Sequence, residues 1–388
     1  MVQMVNGGPA DIAGMARVVL PANVIEAREA AKEILLQNLK GESGLPRTAG
    51  WGYPEPYTRD MMLSSLGFLV SKDWRLIEAD RMVLEELAKT QTVDGHIMSL
   101  ANDPMSGGAS DTTPLFLLGL ALYRQASGDA FFLEGAANKA LSWMRHQSPS
   151  NQTLIGQLPL TDWRDEQYVM GFGLYVNALV YGYLCHFESS STRQQFSADL
   201  RKTLAVADKP YYALYLFKRY QSDRFDLLGN ALAVIFGLMP KTQAREMIGW
   251  IEDECRKMKV TGDLAVDLAP NLFPFILKDD KDWLTDYAEY NPTGCYHNGG
   301  IWPFVSALHI VAILAVGKRE LALEKLLALT DLVKLGRDST LEWGFHEWVP
   351  AQTGKPTERG NDWQTWSAAL YLYAVACYEE NKVLLLRP

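Results

Sequence analysis

The sequence predicts an all-α protein that folds as an (α/α)6 barrel, with six inner helices surrounded by six outer ones. Twelve segments of the 388-residue chain carry apolar residues at helical spacing over helical lengths. These segments alternate between apolar on nearly every face and polar on one face, so we expect buried and exposed helices to alternate. No stretch shows a sustained strand-like alternation, although QTLIGQLPL could pair locally.

The first helix is predicted at 24–40, where three terminal signals agree. Asn23 is a candidate N-cap, Glu26 completes a capping box, and Gly41 follows the predicted end. The other helices are predicted, in chain order, at 58–70, 74–90, 112–127, 130–146, 168–189, 192–206, 226–239, 241–258, 301–317, 319–335 and 363–380.

The pair 301–317 and 319–335 shows the alternation most clearly. IWPFVSALHIVAILAVG is apolar nearly all round, whereas KRELALEKLLALTDLVK carries charges along one face. A solenoid of helical pairs would alternate in the same way, but no repeat of 34–47 residues is found. Because no change in composition marks a linker, residues 1–388 are predicted to form a single domain.

Composition and charge exclude several classes of function. A net charge of −9 argues against a nucleic-acid partner, which needs basic surfaces. Four scattered cysteines without a CxxC, and histidines without HExxH spacing, predict neither a metal nor disulfides. No nucleotide-binding glycine motif is present, so we predict no cofactor. Without a signal peptide or an apolar run of about 18 residues, we expect a cytoplasmic protein with no membrane partner. A homo-oligomer stays open.

The long loops are expected to carry the function, because each precedes a predicted inner helix and all should meet at one rim of the barrel. These loops are 41–57, 91–111, 148–167, 259–300 and 337–362.

The stretch from Trp343 to Trp366, WGFHEWVPAQTGKPTERGNDWQTW, holds four of the eleven tryptophans. Glu347 lies between aromatic residues, and Asp362 is predicted to cap the helix at 363–380. Aromatic neighbours raise the pKa of a carboxyl group by desolvation, and tryptophan faces suit sugar rings. The alternative is a surface loop with a buried tryptophan cluster.

A second acidic cluster, TDWRDEQYVMGFG, precedes the apolar helix at 168–189. Asp162 and Asp165 flank Trp163 and Arg164, and Glu166 follows. Solvation alone explains such a cluster poorly, and Asp165 is the best candidate for an acid because it lies nearer the helix. Asp162, Glu166 or Asp111 could share that role.

Other loops supply candidates for binding. Arg59 and Asp60 open a helix and form either a capping salt bridge or a clamp on sugar hydroxyls. Asp111 in SDTTPLF is either an N-cap or a ligand contact. In CYHNGGIWP, His297 and Asn298 precede two glycines that allow close backbone approach.

CYHNGGIWP with its apolar helix resembles a motif of the alkaline/neutral invertases. DRFDLLGNALAVIFG, YTRDMMLSSLGFL and QTWSAALYLYA resemble further stretches of that family in the same order. DWRD followed by GLYVNALVYGYL resembles the WMD segment of bacterial amylo-α-1,6-glucosidases. The resemblance spans about 51–375 and implies an (α/α)6 glycoside hydrolase. The family's aromatic pair and Asp after the catalytic Glu are replaced here by Trp348-Val349-Pro350, so sucrose cannot be assumed as the substrate.

The resemblance implies that Asp165 is the general acid and Glu347 the general base of an inverting hydrolase acting on a small α-linked glucoside or oligosaccharide. The carboxyl groups should then lie about 6.5–9.5 Å apart. Trp163 would raise the pKa of Asp165, and His346 would help to keep Glu347 ionised. Substrate contacts are expected from Trp51, Tyr53, Arg59, Asp60, Asp111, Trp163, Arg164, His297, Asn298, Trp302, Trp343, His346 and Gln364. Two alternatives are a sugar epimerase or isomerase using His297 with His346, and a non-catalytic sugar-binding protein.

Overall fold

A computed structural model describes residues 19–41, 43–148 and 153–386. Within these residues all twelve predicted helices are present, so the mostly helical character of the chain is confirmed. Their bounds are α1 Ala22–Asn38, α2 Thr58–Val70, α3 Trp74–Thr90, α4 Thr112–Ser127, α5 Glu134–Arg145, α6 Leu174–Phe187, α7 Ser190–Leu204, α8 Leu227–Ile235, α9 Lys241–Thr261, α10 Pro303–Ala315, α11 Arg319–Lys334 and α12 Thr365–Glu379.

The even-numbered helices form a closed ring. Each of α2, α4, α6, α8 and α10 contacts the next in the series, and α12 contacts α2. These helices are buried at nearly every position, because their sequences are apolar on all faces. The odd-numbered helices lie outside and bury one face each, as α3 does through Leu76, Val83 and Leu87. The arrangement is consistent with the predicted barrel.

Two predicted helix caps were wrong. The first helix begins at Ala22 after Pro21, and the Asn23 side chain accepts a hydrogen bond from the Val24 amide instead of capping. The last helix begins after Gln364. Asp362 does not cap it, because the Asp362 side chain accepts hydrogen bonds from the backbone amides of Arg337 and Asp338. In both cases another partner takes the polar side chain.

A four-stranded antiparallel sheet was not predicted. Its strands lie in the order β1 Phe172–Gly173, β2 Ala213–Phe217, β3 Tyr220–Asp226 and β4 Leu272–Phe273. The sheet occupies residues that the sequence assigned to the start of the helix at 168–189 and to loops. Gln157, in the stretch expected to pair locally, forms an isolated bridge with Gly171.

The loops that precede the inner helices contact one another at one end of the ring. Ala49 bridges Gln364, and the Ser110 and Thr161 hydroxyl groups share a hydrogen bond of 2.7 Å. Ile301 pairs with Val349 in the same way as Ala49 with Gln364. Within the described ranges, no helix combines the length and the apolar character needed to cross a membrane.

Candidate active site

A cleft of about 540 Å³ opens where these loops meet. Its walls come from residues that precede or open α2, α6, α10 and α12. The side chains that line it are Thr48, Tyr53, Tyr57, Arg59, Asp60, Trp163, Asp165, Tyr296, His297, Trp302, Glu347, Gln364 and Trp366. Both predicted catalytic carboxyl groups are therefore in one cleft, although they come from distant parts of the chain.

Asp165 lies beside one cation and one imidazole. Its carboxylate is 3.8 Å from Arg59 Nη1 and 3.9 Å from His297 Nε2. The side chain keeps 54% of its surface exposed to the cleft, yet protein atoms crowd the carboxyl group on its other sides. This desolvation raises the pKa of Asp165 to about 6, against the opposing charge of Arg59. Asp165 can therefore hold a proton close to neutral pH.

Arg59 is fixed in place by a buried carboxylate. Its Nε and Nη2 atoms donate to the two oxygens of Asp111 at 2.6 and 3.2 Å, and Nη2 also donates to the Asp162 carbonyl at 2.8 Å. Asp111 is fully buried and makes no side-chain cap on α4, although it precedes that helix as predicted. Its role in the structure is to orient Arg59 toward Asp165.

Glu347 also lines the cleft and is almost fully buried. The Asn361 amide donates to Oε2 at 3.2 Å, and the Glu347 amide donates to the Asn361 carbonyl at 2.9 Å. Desolvation raises the pKa of Glu347 to about 8; the Asn361 amide opposes this, and the charges of Asp60 and Asp165 add to it. Desolvation likewise raises the pKa of Asp60 to about 7. Three carboxyl groups thus compete for protons in one cleft.

Aromatic rings make up much of the cleft wall. Trp163 meets His297 and Trp302 edge-on, with ring centroids 5.2 and 5.3 Å away. His297 stacks on Trp302 at 5.5 Å, and burial holds the pKa of His297 well below its usual range, so this imidazole is neutral.

Several polar atoms in these walls are buried without a partner among the described residues. They are Trp163 Nε1, His297 Nδ1, Trp366 Nε1 and Gln364 Oε1. Buried polar groups are normally hydrogen-bonded, so a ligand rich in hydroxyl groups would satisfy groups that the protein leaves unpaired.

Four of the predicted substrate contacts do not line the cleft because other residues bind them, and the first is Asp111, which holds Arg59. Arg164 is fully buried, forms an ion pair with Asp226 and lies over the Trp163 ring at 4.6 Å. Asn298 holds the backbone of Ile276 through bonds of 2.7 and 2.9 Å. His346 Nδ1 is 2.5 Å from Asp362, so Asp362 rather than Glu347 takes this imidazole.

The tryptophans predicted to stack on sugar divide between the cleft and its surroundings. Trp302 lines the cleft, whereas Trp51 lies outside the lining, 44% exposed, with its ring 4.7 Å from Trp363. Trp343 is nearly buried and packs beneath Lys334, whose Nζ is 5.1 Å from the ring.

The sequence did not identify four of the lining residues. Tyr57, Tyr296 and Trp366 are within two positions of candidates that were identified, so those motifs were defined too narrowly. Thr48 had no signal of its own; it reaches the cleft because the neighbouring Ala49 bridges Gln364.

Comparison with known proteins confirms the predicted resemblance. A family model described as alkaline and neutral invertase matches residues 210–381. The chain resembles the alkaline and neutral invertases. It is 29% identical over 171 residues to alkaline/neutral invertase C, mitochondrial, of Arabidopsis thaliana, covering 44% of this chain and 24% of that protein. It is 25% identical over 150 residues to neutral/alkaline invertase 1, mitochondrial, of Oryza sativa subsp. japonica, covering 38% and 22%. The chain therefore spans about a quarter of the length of these relatives.

Solved structures extend the likeness to nearly the whole chain at the level of the fold. A GH63 mannosylglycerate hydrolase from Thermus thermophilus, in complex with glucose, superposes with a TM-score of 0.65 at 15% identity, covering 89% of this chain and 99% of that one. A glycosidase variant in complex with glucose gives a TM-score of 0.65 at 14% identity, covering 93% and 98%. The family match includes Glu347, His297 and Trp302, whereas Asp165 and Arg59 lie outside it.

Proposed function

We propose that this protein is an inverting glycoside hydrolase that acts on a small α-linked glucoside. The observation that carries the proposal is the shared cleft of Asp165 and Glu347, walled by aromatic rings and unpaired polar groups. The likeness to invertases and to glycosidase structures supports the same reaction class. We also infer that the closed helix ring is the (α/α)6 barrel of such enzymes, and that it forms one domain.

Asp165 is proposed as the general acid. A general acid works best when its pKa lies near the working pH, and the pKa of Asp165 is raised to about 6. Arg59 at 3.8 Å and neutral His297 at 3.9 Å would stabilise the carboxylate that remains after proton transfer to the leaving oxygen. Arg164 does not interfere, because its charge is directed away into Asp226.

Glu347 is proposed as the general base that takes a proton from the attacking water. The Asn361 amide binds Oε2, which orients the carboxylate and favours its ionised form. Glu347, Asp60 and Asp165 line one cleft, and all three have a raised pKa. Each step in which the cleft gains or loses a proton therefore belongs to the three carboxyl groups together and not to one residue. The productive form has its proton on Asp165 and a charge on Glu347; because the pKa of Glu347, about 8, is above that of Asp165, about 6, it is the less populated of the two forms in which this pair holds one proton.

The size and lining of the cleft favour a short substrate. The space inside it, about 540 Å³ including the part open to solvent, limits the ligand to a small molecule. Trp163 and Trp302 are almost fully buried and add only a little apolar surface to the cleft, while Tyr53, Asp60 and Gln364 offer hydrogen-bonding groups. The similar proteins are named as invertases and as a mannosylglycerate hydrolase, so the non-reducing sugar and its partner are both open to test.

The epimerase alternative is disfavoured by the position of one imidazole. It needs two histidines facing the sugar, but of its two candidates only His297 lines the cleft. The other, His346, is fixed by Asp362, and Gly360 packs against its Nε2 side.

The function is tested by incubating the protein with α-linked disaccharides and glucosides, sucrose and isomaltose included, and measuring free monosaccharide. NMR in the first minutes, before mutarotation, should show a β-configured sugar from an α-linked substrate, because water enters opposite the leaving group. For sucrose, water labelled with heavy oxygen shows which sugar gains the new hydroxyl. An α product would mean that Glu347 attacks carbon, and no release from any substrate would refute the hydrolase proposal.

A further inference from the structure

A second pocket lies on the far side of the loop that carries Asp165, beside the four-stranded sheet. It has a volume of about 520 Å³, including space open to solvent, and shares no lining residue with the cleft. We call it the sheet-side pocket, and the lining residues that matter here are Gln167, Tyr168, Tyr215, Arg224, Lys281 and Tyr287. From its chemistry we propose that the sheet-side pocket is a second binding site for a neutral sugar.

An unpaired buried amide marks the pocket as incomplete. Gln167 is 1% exposed, and its Oε1 has no hydrogen-bond partner among the described residues. An acceptor left in this state has lost its hydrogen bonds to water without replacement, and a hydroxyl donor on a ligand would restore one. A sugar carries several such hydroxyl groups.

The charges and the unpaired group of the sheet-side pocket indicate whether its ligand is a neutral sugar or an anion. Arg224 is held by ion pairs with Asp280 and Asp282, and it also donates to the Pro274 carbonyl at 2.8 Å. Lys281 lies over the Tyr220 ring, with Nζ 4.4 Å from the centroid. Two carboxylates therefore balance the charge of Arg224, whereas Lys281 contacts a ring. The unpaired group of the pocket is an acceptor, Gln167 Oε1, which needs the kind of donor that a sugar hydroxyl supplies and a fully ionised phosphate or carboxylate does not.

Aromatic groups supply the apolar part of the recognition. Tyr168 is 43% exposed at the mouth, whereas Tyr215 and Tyr287 are buried deeper and belong to a small apolar cluster of their own. The Tyr168 amide donates to the Tyr287 hydroxyl at 2.9 Å, which holds the two residues in a fixed relation. Flat rings next to amide and carboxylate groups match the mixed apolar and hydroxylated faces of a sugar ring.

The sheet-side pocket and the cleft share a wall. The backbone amide of Gln167 donates to the backbone carbonyl of Arg164 at 3.0 Å, in the turn that carries Asp165. On the other side Ile276, which lines the pocket, accepts from and donates to Asn298, the neighbour of His297. A sugar in the pocket would thus contact both segments that position the cleft.

Binding at the two sites can be followed in one spectrum of protein labelled with 5-fluorotryptophan. Trp283 meets Tyr287 edge-on, with centroids 5.9 Å apart, and reports the sheet-side pocket, whereas Trp163 lines the cleft. Substitution of each by phenylalanine assigns its fluorine signal. Glucose, maltose and inorganic phosphate serve as the probes.

We expect the Trp283 signal to shift with glucose or maltose along a saturation curve separate from that of Trp163, and not with phosphate. Gln167→Leu should weaken only the Trp283 response, by about 2- to 10-fold, the loss of one net hydrogen bond. Because leucine removes an unpaired polar atom, this variant should fold. Tyr168→Ala gives an independent test, and Tyr290→Ala, an exposed tyrosine outside both sites, is the matched control.

Three outcomes would overturn the proposal. They are an unchanged Trp283 signal, a Trp283 curve that follows Trp163 in every variant, and a response to phosphate alone. Because these readouts measure binding and not hydrolysis, a protein without hydrolase activity could still show the second site, so the two proposals fail separately.

Discussion

Replacement of Arg164 by methionine tests whether this residue supports the fold or binds the substrate. Arg164 and Asp226 are both fully buried and form an ion pair between the loop before α6 and the end of β3. Removal of one partner from a buried pair typically costs about 3–5 kcal/mol, because the other charge stays buried and uncompensated. We expect Arg164→Met to lower the free energy of unfolding by that amount at pH 7.

The deficit should depend on pH in a defined direction. Burial already raises the pKa of Asp226, and loss of the Arg164 charge removes the main effect opposing that rise. Asp226 in the folded variant would then bind a proton that the unfolded chain releases above about pH 4, so the deficit grows as the pH rises and shrinks toward pH 5. Urea denaturation at pH 5 and pH 7 measures both values.

The double variant Arg164→Met, Asp226→Leu is the matched control. Exchange of a buried pair for apolar residues of similar volume is often neutral or stabilising, so most of the lost stability should return. A single variant within about 1 kcal/mol of the parent at pH 7 would refute the argument, since typical surface changes are about that small. A double variant that is stable but has a KM raised about 100-fold would instead show that Arg164 contacts the sugar.

Four further changes test the cleft and the core. Asp165→Asn and Glu347→Gln should each lower kcat by about 10²–10⁴-fold while the circular dichroism stays unchanged; near-full activity in either would move the role to another carboxylate. The value of kcat/KM should fall below about pH 6, where both carboxyl groups are protonated, and above about pH 8, where both are ionised; a flat profile over pH 5–9 would contradict this. Asp60→Asn should move the alkaline limb to lower pH, because the Asp60 charge helps to raise the pKa of Glu347; an unmoved limb would exclude that coupling. Desolvation raises the pKa of buried Asp80 to about 7 from 3.8, so the parent should lose about 4 kcal/mol of stability as the pH rises from about 4 to 7. Asp80→Asn should remove that loss. If the free energy of unfolding fell equally with pH in the parent and the variant, the argument would be contradicted.

The inner helices were predictable because a helix buried on all sides has a long, nearly continuous apolar sequence. Residues 301–317 are apolar throughout, and the structure places α10 inside the ring with every position from Pro303 to Leu314 buried. The sheet left no such record. Strands β2 and β3 are short, and they turn at Lys218, whose positive φ of 56° is seldom adopted outside glycine and asparagine. A turn without glycine or asparagine gives the sequence no hairpin signal.

The candidate site was predictable where residue type and chemistry agree and unpredictable where only tertiary partners decide. Asp165 and Glu347 stand out as acids among aromatic residues, and they line one cleft. Arg164 is adjacent to Asp165 in sequence, but a charge 62 positions later takes its side chain away from the cleft. No local pattern distinguishes an arginine that faces a ligand from one that pairs with a distant Asp226.

The ring closes where α2 meets α12, and the cleft takes lining residues from both sides of this seam. Tyr53 and Asp60 come from the segment around the first inner helix, whereas Glu347 and Trp366 come from the segment around the last. During synthesis Glu347 and Trp366 leave the ribosome after Asp165 and His297, so a competent site appears only when α12 docks. A sugar that contacts residues on both sides of the seam then stabilises the closed ring, by an amount that grows with the ratio of its free concentration to its Kd.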